Sequence, residues 1–395
     1  MNDHRVPRPR RPSLAAHSLA LPRSNPRRRR PVALLISTLA LVGAACTDDE
    51  AADSTAATTA PTDATITALD GETVTLLAYD SFPESDTTLN DALAQFSADT
   101  GIFVEVVIGG DAGALVSKAV LTAGNPEGDV LFGVDNAFLS RAVDGGVFEP
   151  YQANGLGAVA DELTALVPDH AATPVDYGDV CINVDIAWFD EHELEPPADL
   201  AALTDPAYRD LLVVENPATS SPGLAFLLAT VAEFGEDGWA DFWRDLRANG
   251  LLVVDGWTEA YYEQFTWAGG GDRPLVVSYG TSPPAEVIYA DPPVETAPTT
   301  AVESTCFRQV EFAGVLAGTD QPDASRRLVD FLISPAFQEE LAANLFVYPA
   351  NADAGVPPEF DQWALRPEEP LTMEPTAIAD GREAWIEEWT DVVLR

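Results

Sequence analysis

Three aspartates each stand just behind a short apolar run: Asp80 after TLLAY, Asp111 after VVIGG and Asp135 after VLFGV. Farther along, Ser220 and Ser221, Trp257, and the sequence Tyr279-Gly280-Thr281-Ser282 follow runs of the same kind. Carboxylates gathered this way could serve as acid and base, since glycoside hydrolysis needs only two. Carboxylates at strand ends far more often bind a ligand or cap a helix. Other chemistries lack their parts. Beyond residue 45 the only histidines are His170 and His192, neither near such a run, and no GxSxG, HExxH, GxxxxGK[ST] or dinucleotide glycine pattern occurs. A zinc site would lack nitrogen and sulfur ligands. The residues describe a binding protein, not an enzyme, with no metal and no cofactor beyond its ligand.

The elements that must position these groups follow from periodicity. Apolar runs at residues 74–78, 103–108 and 129–134 read as strands. Between them Leu89, Leu93 and Phe96, then Leu115, Val116, Ala119 and Val120, mark helix faces stopped by Gly101 and Gly124. Strands alternating with helices imply a parallel sheet with right-handed crossovers, whose carboxyl edge carries Tyr79, Asp80, Asp111, Asp135 and Asn136. Such an edge is where ligands sit in open α/β sheets. The pattern returns at residues 211–214, 251–254 and 275–278. Ser221-Pro222-Gly223 opens an apolar helix, with serine predicted to cap it, so its free N–H groups would face the same gap. Trp239, Phe242, Trp243 and Leu246 form a core stripe, as do Trp385, Trp389 and Val392. Trp257 lies outside any stripe, and packing or a ligand would equally explain it. Residues 173–184 and 308–315 read as extended crossings between two lobes, residues 335–345 as a helix, and residues 346–349 as a further crossing.

The N-terminal segment has its own logic. Nine arginines precede a run of mostly apolar residues at 31–45, too short to span a bilayer but suited to a signal peptide, residues 1–45. Gly43-Ala44-Ala45-Cys46 resembles a lipobox, so Cys46 is expected to carry lipid, simple cleavage being the alternative. Residues 46–70, rich in Ala, Thr, Asp and Pro, read as a tether. The whole chain has 21 basic and 64 acidic residues; without the nine arginines and Asp3, 12 and 63 remain, a charge near −51. That excludes binding nucleic acid through its phosphates. Cys181 and Cys306 remain as an even pair in an oxidising compartment, expected to form a disulfide, the alternative being two buried thiols.

The segments TLLAYDSF, GDVLFGVDN, PVDYGD, ATSSPGL, DGWTEAYYEQF, SYGTSP, LISPAFQ and FVYPAN occur in one order from about residue 73 to the C-terminus. Together they resemble the thiamine-binding subunit of bacterial ABC importers. The resemblance implies an α/β, two-lobed type II periplasmic binding protein fold, each lobe a mostly parallel sheet flanked by helices. Lobe I would comprise residues 71–177 and 305–345; lobe II, residues 178–304 and 346–395, with the hinge crossings and C-terminal helix. It implies capture of thiamine or its phosphates and delivery to an ABC permease; with lipid on Cys46, the protein, expected to be a monomer, would be anchored to the outer face of the cytoplasmic membrane.

Carried over by position, the ligand residues are Tyr79, Asp111, Ser220, Ser221, Trp257, Tyr279, Gly280, Thr281 and Ser282, with Asp80, Asp135 and Phe346 beside them. Aromatic faces attract a desolvated cation, a carboxylate can neutralise it or accept from its amine, and the amides at Ser220 and Ser221 suit a phosphate or hydroxyl. The sequence departs from the family in three places: residues 83–89 lack an expected tryptophan, small residues replace a tyrosine near Pro284 and Ala285, and Phe346 stands for a tryptophan. A thinner aromatic cage leaves a thiamine precursor as an alternative ligand. The other alternative is ferric iron, suggested by Tyr261 and Tyr262, although only one tyrosine, Tyr279, occupies the strand end where iron binders place their pair.

Overall fold

A computed structural model describes residues 71–395; the expected signal peptide, Cys46 and tether lie outside the described residues. Three parallel strands, β1 (Thr73–Ala78), β2 (Phe103–Ile108) and β3 (Val130–Asp135), form one block in the order β2-β1-β3. A second block repeats that order as β6-β5-β7, from β5 (Leu212–Glu215), β6 (Leu252–Val254) and β7 (Leu275–Tyr279). Between them run two long antiparallel strands, β4 (Thr173–Asp185) and β8 (Thr299–Val315), paired over most of their length. A short strand, β9 (Tyr348–Pro349), adds to β4 at Tyr177 and Asp176. The expected two sheets are thus one continuous ladder.

Strand direction explains why the polar ends meet. β3 is antiparallel to β8 and β8 to β4, so the first block runs with β4; β7 is antiparallel to β4, so the second block runs against it. The carboxyl ends of the two blocks therefore point at each other across the middle of β4, where β3 ends level with Asp176, across β8, and β7 ends beside Val180.

Helices cover the sheet as their apolar faces require. α1 (Thr88–Thr100) buries Leu89, Leu93 and Phe96, starts in a capping box at Thr87 and ends at Gly101 in the left-handed region. α2 (Ala112–Leu121) begins directly behind Asp111. α3 (Ser221–Phe234) is buried on every side over its first three turns, consistent with its uniformly apolar sequence. α4 (Trp239–Ala248) buries the expected stripe, and the Trp243 indole donates to Thr230 at 2.9 Å. Trp389, at the end of α5 (Pro375–Trp389), meets Trp243 edge-on at 5.5 Å. Beyond it the chain winds into a π-turn, Thr390–Leu394, which advances the buried position from Val392 to Val393.

The helix expected at residues 335–345 is broken into Pro335–Gln338 and Leu341–Leu345. The buried Gln338 side chain donates to the carbonyls of Val175 and Leu332 at 2.8 and 2.7 Å. The second piece ends at Phe346 in the left-handed region, φ 60°.

Cys181 and Cys306 are bonded to each other. They sit where the β4–β8 register shifts between Val180↔Phe307 and Ile182↔Val302, so the bond staples the crossing strands at their irregularity. It closes a loop between positions 125 residues apart, for which removal is expected to cost about 2–5 kcal/mol. Thermal unfolding of Cys181→Ala/Cys306→Ala should therefore begin well below that of the parent, and dithiothreitol should lower only the parent's midpoint. Equal midpoints would show that strand pairing alone holds the crossing.

Candidate functional site

Where the two blocks face each other they enclose a cavity of about 230 Å³. Seven of the expected ligand residues line it: Tyr79, Asp80, Asp111, Ser221, Trp257, Tyr279 and Phe346. Five do not. Asp135 is fully buried, accepting from the amides of Ala137 and Phe138 at 2.8 and 2.9 Å and from the Ser221 hydroxyl. Ser220 is fully buried behind Ser221. Ser282 bonds the Ser278 hydroxyl at 2.8 Å, Thr281 donates to the Phe346 carbonyl, and the Gly280 carbonyl accepts from the Leu365 amide at 2.8 Å. These five support the walls, because their polar atoms are engaged by or enclosed in the protein.

Asp111 joins three helix starts. Its Oδ1 accepts from the Ala112 amide at 2.6 Å, capping α2, and from the Ser221 amide at 3.3 Å, at the start of α3 in the opposite block. Its carboxylate also accepts from the Trp257 amide, at the head of the short helix Trp257–Glu259. Gly256 permits this approach, since a Cβ there would lie 3.0 Å from Asp111 Oδ2. The cap predicted from serine thus comes instead from Asp111, while Asp135 takes the Ser221 hydroxyl, both reaching across the gap. They occupy the amide and hydroxyl that the sequence offered to a phosphate, because a helix start attracts whichever anion is nearest.

The aromatic side chains are held by their surroundings. Trp257 donates its indole N–H to Ser278 Oγ at 2.8 Å and stacks on Tyr261 with centroids 5.1 Å apart and planes at 16°. Its ring lies 6.2 Å from Phe346 and 6.5 Å from Tyr279. Tyr79 rests against Gly133, where a Cβ would come within 2.1 Å of its ring. Gly133, at φ 91°, forms the irregularity in the β3–β8 register that makes this seat. Tyr279 accepts from Gln309 Nε2 at 3.0 Å.

Other lining residues were not singled out from sequence, Glu311, Thr258 and Asn344 among them, and Tyr262 was raised only as half of an iron-binding pair. Glu311 sits inside the return crossing; its signal was an acidic residue in a strand otherwise apolar around it. Tyr262 lines the cavity while its neighbour Tyr261 is buried with its hydroxyl on Glu286 at 3.1 Å. The adjacent tyrosines therefore do not present a pair of phenols, and among the described residues no group of three His, Cys, Asp or Glu could hold a metal ion.

A family model described as bacterial extracellular solute-binding protein matches residues 125–367. The chain belongs to that family. The thiamine-binding periplasmic protein of Escherichia coli K12 is 28% identical over 323 residues, covering 82% of this chain and 94% of that one. A solved periplasmic thiamin binding protein superposes with a TM-score of 0.71 at 27% identity, over 82% of this chain and 96% of that one. Iron uptake protein A1 of Synechocystis is 24% identical over 280 residues, 68% of this chain and 74% of that one. This solute-binding protein is therefore an extracytoplasmic binder of a small molecule, partnered by an ABC permease, and not an enzyme. Among the described residues no helix is long and apolar enough to cross a membrane.

Burial, then the neighbouring Asp80, pushes the Asp111 carboxyl up to about 7 against the pull of its three N–H donors. Burial also raises Asp80, Asp135, Asp176, Glu215 and Glu311 above the usual carboxylate range. A carboxyl raised in the folded state holds a proton that the unfolded chain has released, so stability falls as pH rises toward the folded value. Asp111 alone should remove about 2–3 kcal/mol between pH 5 and 8. Urea unfolding across that range should show lower stability at high pH, with a shallower slope in Asp111→Asn. A slope of the opposite sign, or one unchanged in the variant, would contradict this assignment.

Proposed function

We propose that this solute-binding protein captures thiamine, or its phosphates, and that lipid on Cys46 anchors the monomer to the outer face of the cytoplasmic membrane. The observation that carries the reading is the composition of the cavity wall. Aromatic rings from Tyr79, Trp257, Tyr262, Tyr279 and Phe346 surround a space edged by Asp80, Asp111 and Glu311, and none of the described lining residues is basic. Rings attract a flat desolvated cation through their faces, and carboxylates supply the opposing charge. The similarity to thiamine-binding relatives over most of the chain supports the same ligand. A phosphorylated form reaches the Ser221 amide only by displacing Asp111. Iron and a thiamine precursor remain outcomes of the test.

Calorimetric titration with thiamine, thiamine monophosphate and ferric citrate separates these ligands. Trp257→Ala removes a ring held on two sides, for which the expected loss is about 2 kcal/mol, some thirtyfold in thiamine affinity. Asp111→Asn should weaken binding and reduce its salt dependence. In the parent, affinity for the cation should climb as pH rises through about 7, where Asp111 gains its charge, and this climb should flatten in the variant. Undiminished binding in Trp257→Ala, or ferric citrate binding in place of thiamine, would overturn the reading.

A further inference from the structure

The floor of the cavity carries a carboxyl group that neither the strand-end pattern nor the capping contacts explain. Glu311 lines the cavity and is only 4% exposed. On β8 it stands directly between Asp135 of β3 and Asp176 of β4, its partners in the two ladders. Its Oε1 accepts from Gln309 Nε2 at 3.0 Å, and the Tyr79 hydroxyl bonds the same carboxyl. Its Oε2 has no hydrogen-bond partner, and neither oxygen of the fully buried Asp176 has one. The titratable groups facing Glu311 are Tyr79 just past β1, Asp135 from β3, Asp176 from β4 and Tyr279 from β7. α3 adds only the Ser221 hydroxyl on Asp135, and the charge opposing Asp135 comes from Arg382 on α5.

Adjacent carboxyl groups without a cation between them do not all ionise. Burial first, then Asp176 and Asp135, hold Glu311 well above the usual range, so it meets a ligand as a carboxylic acid. An acid presents one donor and one acceptor side by side, whereas a carboxylate presents acceptors only. The 4-aminopyrimidine ring of thiamine offers the complementary edge, a ring nitrogen that accepts beside an amine that donates.

We propose that Glu311 is a specificity-determining residue that pairs, as an acid, with the aminopyrimidine edge of the ligand. Its O–H donates to the ring nitrogen and its other oxygen accepts from the amine. The inference rests on the thiamine reading and deepens it. It leaves the thiazolium charge to Asp80 and Asp111 at the other end of the carboxylate set, and it gives the unpartnered Oε2 its partner.

The test is titration of the parent, Glu311→Gln and Glu311→Ala with thiamine and with the analogue carrying hydrogen in place of the pyrimidine amine. Glutamine also presents one donor and one acceptor, so it should bind thiamine within about threefold of the parent, whereas alanine should lose about tenfold or more. The parent should bind the analogue more weakly than thiamine by a similar factor, and Glu311→Ala should scarcely distinguish them. A glutamine variant as impaired as alanine would show that Glu311 acts as an anion. Equal binding of both ligands by the parent would overturn the pairing without any variant having to fold. Thiamine binding that ignores Glu311 removes this inference alone, while a parent that fails to bind thiamine removes the proposed function and this inference with it.

Discussion

The structure depends on one carboxylate of the first strand block, Asp111, capping helix starts of the second. Asp111 and Asp135 stand at the carboxyl edge of the first strand block, and both reach Ser221 at the head of α3 in the second. Free N–H groups and a positive dipole end make that head a strong partner for an anion. The contact is also what encloses the cavity, since the same carboxylate meets the amide of Trp257. The same few hydrogen bonds therefore join the two blocks and shape the site.

This arrangement concentrates acid where acid is hardest to ionise. Asp135, Asp176, Glu215 and Glu311 are buried, Asp111 is half-buried, and all are shifted toward the protonated form. Of these, Asp111 and Glu311 line the cavity, and no described lining residue is basic. The aromatic wall adds attraction without mobile side chains, because Trp257 is pinned by Ser278 and Tyr261, and Tyr79 by the glycine seat at Gly133. A preorganised wall loses little conformational freedom on binding.

Some of this was legible along the chain. Each carboxyl strand end named from periodicity lies within a residue or so of one in the structure, although β8 starts at Thr299 and not at residue 308, and the tryptophan stripes of α4 and α5 are core, as their spacing required. Ser220, Thr281 and Ser282 stand at the expected strand ends but outside the cavity lining, since a strand end supplies residues to the wall as well as to the cavity. Glu311 went unseen because a crossing strand reads as scaffold. Its exposure to the cavity depends on where β8 lies between β3 and β4, and no local pattern encodes that.

By itself, the sequence determined the alternation of strands and helices, the polar residues at their junctions and the buried stripes. These follow from periodicities that act within a turn or two of helix or a few residues of strand. Tertiary structure decided which of those residues meet. Asp111 finds Ser221, and Asp176 finds Glu311, through the register of β4 against β8 and the opposed direction of the two blocks. Such pairings join residues far apart in the chain, so they are fixed by the total packing of the sheet and not by any segment alone.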